Sequence, residues 1–141
     1  MKNKKRIVLF AAVLLLAALL FAGCAAVKED ISYLAAKLEG EGESVKYYEA
    51  GDPMLTALDG DMKKVMEDPP EGSLAGYLFA EEILSGAMTC EVFLFENEDD
   101  AKKLFDYFKD GDSFEKGISE VRRSGKVVYM GLVAELDLLE E

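Results

Sequence analysis

Histidine and tryptophan are missing altogether from this chain of 141 residues, and cysteine and proline are scarce, at two and three. Without histidine no serine–histidine or cysteine–histidine pair can activate a nucleophile, and zinc ligation of the usual imidazole-rich kind goes with it. Gly111, Gly117 and Gly125 lie in different turns, without the lysine and the serine or threonine that a phosphate-binding loop needs. Carboxylates are the remaining route to acid–base chemistry, and 28 acids offer many chance pairs but none whose spacing singles it out. These absences predict a protein that is not an enzyme and carries no cofactor and no metal.

Basic residues are also few, 16 against 28 acids, and four of them, Lys2, Lys4, Lys5 and Arg6, open the chain. Beyond residue 23 the other 12 face all 28 acids, a net charge of −16. A surface that negative repels phosphate backbones and anionic headgroups, so no nucleic acid partner and no polybasic membrane docking are expected. With 141 residues, half of them hydrophobic, the chain can bury one modest core.

What is present at the N-terminus is an export pattern. The four bases precede an unbroken apolar run from Ile7 to Phe21. As a helix it would be about 22 Å long, short of the roughly 30 Å hydrocarbon core. It therefore reads as a signal peptide, with a retained anchor as the alternative if the run extends through Gly23, Ala25, Ala26 and Val27. Leu20-Phe21-Ala22-Gly23-Cys24 resembles the lipobox of bacterial lipoproteins. The resemblance implies cleavage between Gly23 and Cys24 and a diacylglycerol thioether on Cys24. Two or three acyl chains, at about 0.8 kcal/mol per buried methylene, hold a protein firmly to a bilayer. The implied location is the extracytoplasmic face of the cell membrane. Ala25 stands where an inner-membrane retention signal would place aspartate, which favours the outer membrane if the cell has two.

Three segments follow: 1–23 as signal peptide, 24–43 as lipidated cysteine, N-terminal helix and linker, and 44–141 as a single α+β domain. Val27, Ile31, Leu34 and Leu38 make one apolar stripe on a helix over 28–39. It could lie on the bilayer or pack on its own domain, and its mixed-charge polar face favours packing. Val45 and Tyr47 mark a strand over 44–49. Asp52-Pro53 caps a helix carrying Leu55, Leu58, Met62, Val65 and Met66, and Pro69-Pro70 ends it. Strands follow over 74–80 and 88–96, the second apolar on both faces and therefore central. Cys90 falls in that strand and reads as a buried small hydrophobe. Asn97 and three acids begin a helix over 98–109. Strands 119–123 and 126–130 flank Ser124-Gly125, and a short helix over 132–140 closes the chain. The expected architecture is an antiparallel or mixed sheet of about five strands with helices mainly on one face.

The strand leading into the helix at Glu98, together with the hairpin around Arg122-Arg123-Ser124-Gly125-Lys126, resembles small uncharacterised lipoproteins of Firmicutes-type bacteria. That resemblance implies structure and no activity. Asp110-Gly111-Asp112 starts like a calcium loop, but Phe114 takes the third ligand position and Val121 the closing one. Asp59-Gly60-Asp61 runs directly into Met62-Lys63-Lys64. Both read as solvated acidic turns. Arg122, Arg123 and Lys126, with Tyr129 able to share their face, form the one basic cluster in a very acidic protein. It is the candidate docking site for an anion or an acidic partner segment, unless those bases serve to offset neighbours such as Glu120. The leading expectation is a non-catalytic accessory domain, held to the membrane through Cys24 and meeting an envelope protein. A small-ligand or cation-binding lipoprotein is the alternative.

Overall fold

The computed structural model describes residues 26–141. The expectations for the signal peptide, the Gly23–Cys24 cleavage and the lipid on Cys24 concern residues outside that range. Nine elements follow in order: α1 (Ile31–Gly40), β1 (Glu43–Glu49), α2 (Pro53–Val65), β2 (Leu74–Glu82), β3 (Met88–Phe95), α3 (Glu98–Lys109), β4 (Ser119–Ser124), β5 (Val127–Leu132) and α4 (Val133–Glu140). The strands form one sheet in the order β1-β2-β3-β5-β4, antiparallel at every pairing. This is an α+β domain, with the doubly apolar β3 at its centre.

Side-chain alternation explains the layering, and it corrects the expected placement of helices mainly on one face. In β2, β3 and β5 both sets of alternating residues are apolar, so the sheet needs cover on both sides. Leu78, Ala80, Cys90, Val92, Val127 and Tyr129 point to one side, where α1 brings Ile31, Leu34 and Leu38 and α4 brings Leu136 and Leu139. Tyr77, Phe93, Phe95, Val128 and Met130 point to the other, where α2 supplies Leu55 and Met62 and α3 supplies Ala101 and Leu104. Each face thus carries two helices. Because α1 lies in the first of these clusters, Val27 and the N-terminal helix are part of the folded unit.

Local chemistry sets the element ends. Helix α1 starts three residues later than the apolar stripe suggests, because the Asp30 carboxylate accepts from the Tyr33 N–H and acts as its cap. Asp52 caps α2 and Asn97 caps α3 in the same way, through Met54 N and Asp100 N. Val65 leaves the expected stripe and is exposed, and the chain turns so that Met66 is buried in its place. Met88 is likewise exposed, because a register shift at Ala80/Glu81 carries it out of the row of Cys90 and Val92. The β4–β5 turn is Gly125-Lys126, one residue beyond the expected pair, with Ser124 opposite Val127. Gly125 has φ +56 and Lys126 is not among the positive-φ residues, which is a type II′ turn with glycine in its first central position. Gly131 has φ +143, and a Cβ there would stand 2.2 Å from the Thr89 carbonyl oxygen, so β3 and β5 close only with glycine at this point.

Candidate functional site

The basic hairpin divides between the two faces as strand alternation requires. Arg122 and Tyr129, paired across β4 and β5, point toward α4. The Arg122 Nε donates to Glu120 Oε1 at 2.6 Å, and its Nη1 reaches Asp137 Oδ1 at 2.8 Å and Glu140 Oε1 at 3.1 Å. The Tyr129 hydroxyl donates to the same Glu140 oxygen at 2.5 Å. Burial works against the charge on Arg122, and the three carboxylates outweigh it, holding the guanidinium more firmly protonated than usual. Burial and then Glu140 push the Tyr129 phenol up. These two residues therefore clasp α4 onto the sheet.

Arg123, on the other side of the strand, donates from Nη1 to the Gly125 carbonyl at 3.0 Å and stays exposed, while Lys126 lies 3.9 Å from Glu29. The structure thus brings Arg122 and Tyr129 together and sets Arg123 and Lys126 apart from them. Glu120 is the neighbour the sequence identified. Asp137 and Glu140 could not have been identified the same way, because they reach Arg122 only when α4 folds back over β5.

A second group of polar atoms lies where β1, β3 and α4 meet. Cys90 is buried, and burial followed by the charge of Glu135 pushes its thiol up, so it is an inert core side chain. The Thr89 hydroxyl reaches Glu43 Oε2 at 3.1 Å and the Ala80 carbonyl at 3.2 Å. Glu135 Oε2 is buried without a hydrogen-bond partner. Burial raises the Glu135 carboxyl and the nearby charge of Glu43 adds to that.

On the opposite face, between the end of α2 and α3, is an open cleft of about 1120 Å³. Several of its polar groups are engaged with one another or with the backbone. Asp100 accepts from the Glu71 and Gly72 N–H groups at 3.0 and 2.9 Å and from Asn97 at 2.9 Å. Burial opposes the Asp100 charge, but these bonds prevail and hold its carboxyl below the ordinary value. Lys103 donates to the Pro69 carbonyl at 3.3 Å and pairs with Asp68 at the same distance. Asp100 and Lys103 thereby fasten the diproline loop to α3. Asp59 and Asp61 lie within α2, paired with Lys63 and Lys64, and Asp59 also accepts from the Leu74 N–H. Among the described residues no three acidic or thiol side chains are grouped as a cation site would require.

The two ends of the sheet differ in character. At one end lie the β4–β5 turn, the start of β2 and the end of β3, and here the Val27 N–H donates to Ser124 Oγ at 3.0 Å. At the other end lie Glu43, Glu82, Met88, Leu132 and Ser119. Comparison with known proteins finds no matching family, no matching curated sequence and no matching solved structure.

Proposed function

We propose that this chain is a lipoprotein of the cell envelope, anchored through a diacylglycerol on Cys24, whose folded part is a non-catalytic accessory domain that binds another envelope protein. The observation that carries the reading is the seating of Val27. Its side chain is buried and its N–H is tied to the β4–β5 hairpin, only three residues beyond Cys24. Three extended residues reach about 10 Å, so an acylated Cys24 would hold this end of the sheet close to the lipid and turn the opposite end outward. Among the described residues no helix is long and apolar enough to cross a membrane, so attachment would have to come from the N-terminal segment. Within the basic hairpin Arg123 remains exposed to a partner, with Lys126 beside Glu29 and Arg122 and Tyr129 serving α4.

Growth with an alkyne-bearing fatty acid, followed by membrane fractionation, tests the anchor. Label and membrane association should both disappear in Cys24→Ala. An unlabelled wild-type chain, or a labelled Cys24→Ala chain, overturns the lipoprotein reading. The second reading, a small-ligand or cation-binding lipoprotein, draws on the cleft beside α3. It requires a ligand that raises the melting temperature, since anything that binds only the folded state does so.

A further inference from the structure

The hairpin joining β2 to β3 exposes large aliphatic side chains that the fold does not use. Ile83 is 66% exposed, Leu84 94% and Met88 53%. Ile118 and Leu132 continue the same end of the sheet and are exposed as well. The turn that bears them is tied down. Glu82 N–H donates to the Ala87 carbonyl at 2.9 Å, Gly86 N–H to the Glu82 carbonyl at 2.8 Å, and Ser85 Oγ to Glu82 Oε2 at 2.6 Å. A tip held by its own hydrogen bonds loses little freedom when its side chains enter a pocket, which is the condition under which a few apolar residues dominate an interface. Scattered surface leucines need no explanation, but a run of exposed aliphatics on one pre-ordered turn does.

We propose that Ile83, Leu84 and Met88 form a docking tip that inserts into an apolar cleft, bordered by lysine and arginine, on another envelope protein. Charge selects that occupant. Glu41, Glu43, Glu81 and Glu82 surround this end, against Lys116. A second copy would set the same acids against each other, and an anionic bilayer would repel them, whereas a basic border complements them. Position agrees, because β3 spans about 25 Å between this tip and the end that holds Val27. The inference rests on the lipoprotein reading only in placing the partner in the envelope.

The test is photocrosslinking in intact cells, with benzoylphenylalanine in place of Leu84 or Met88 and, as control, in place of the exposed Tyr107 on α3. The expected result is one discrete adduct from positions 84 and 88 and none from 107, with the crosslink mapping to an apolar cleft flanked by basic residues. Leu84→Asp should lower recovery of the uncrosslinked complex roughly tenfold or more, and Glu41→Lys with Glu81→Lys, which leaves the Ser85–Glu82 bond in place, should lower it further in low salt than in high. Neither exchange touches the core, and an unchanged melting temperature verifies this. No adduct, an adduct of twice the chain mass, or equal labelling from position 107 overturns the docking tip. Fractionation of the same cells separates the two readings: a soluble chain that still yields the adduct defeats the anchor alone, and a membrane-bound chain without it defeats the tip alone.

Discussion

The two faces of the sheet solve the same burial problem with different side chains. The face covered by α1 and α4 is aliphatic and closed: Leu34, Leu38, Leu78, Val92, Val127 and Leu136 are all at 0% exposure. The face covered by α2 and α3 is aromatic and looser. Tyr77 and Phe93 meet at 5.0 Å between ring centres and Tyr48 stacks on Tyr77 at 6.4 Å, while Phe79, Phe105, Phe108 and Phe114 are only partly buried. Branched side chains interdigitate to interior density, whereas rings on a surface helix leave edges and clefts between them. Stability should therefore concentrate on the face nearest the chain's beginning, and tolerance of change on the other.

Truncations test that contrast most strongly. Leu34→Ala should cost about 3 kcal/mol in urea unfolding, as fully buried leucines do, whereas Phe105→Ala, only partly buried at the outset, should cost about half as much. Equal losses would erase the distinction between the faces. Next in size is Arg122→Ala. It leaves Glu120, Asp137 and Glu140 facing one another without their shared cation, and since these groups are partly hydrated the loss should be about 1–2 kcal/mol. Amide exchange in α4 should rise with it, while that of α2 stays unchanged.

Asp100 and Glu135, perturbed carboxylates on opposite faces, make the contrast a matter of pH. The folded carboxyl of Asp100 is lowered, so its contribution is present above its ordinary value of 3.8 and fades as pH falls through the folded value. Asp100→Ala should cost about 1 kcal/mol at pH 7, and the gap between variant and wild type should close in acid. Glu135 has the opposite sign. Its folded carboxyl is raised, so its contribution is full below 4.5 and is lost as pH rises through the folded value. Glu135→Gln should therefore gain a few tenths of a kcal/mol at pH 7.5 and nothing at pH 4, read as melting temperature. A variant no more stable than wild type at pH 7.5 would mean that the buried oxygen costs nothing.

Local chemistry was readable from the sequence where a few neighbouring residues decide it. Asn97 followed by Glu98, Asp99 and Asp100 located the start of α3, and the doubly apolar Val92-Phe93-Leu94-Phe95 located the centre of the sheet. The same double pattern in Tyr77-Leu78-Phe79-Ala80 calls for cover on the far face as well, which α2 and α3 supply. The hairpin turn was misplaced by one residue because glycine serves the first position of a II′ turn as well as the second position of a I′ turn. The site was less legible. The partners of Arg122 arrive from a helix whose direction no short-range pattern specifies. Ile83-Leu84 fall between the expected strands 74–80 and 88–96, where two aliphatics between Glu82 and Ser85-Gly86 break the polar habit of turns.

The strand order also bears on how the chain reaches this state. β1, β2 and β3 follow one another as a meander with α2 inserted, and β4 and β5 form a tight hairpin that can assemble from contacts near in sequence. The seam between β3 and β5, from Cys90 opposite Gly131 to Leu94 opposite Val127, instead closes a loop that contains all of α3 and β4. Closing that loop carries an entropic cost like that of the β1–β2 pairing across α2, and it also requires the narrow approach at Gly131. Until this seam zips, the central strand keeps an open edge to which a neighbouring chain can add.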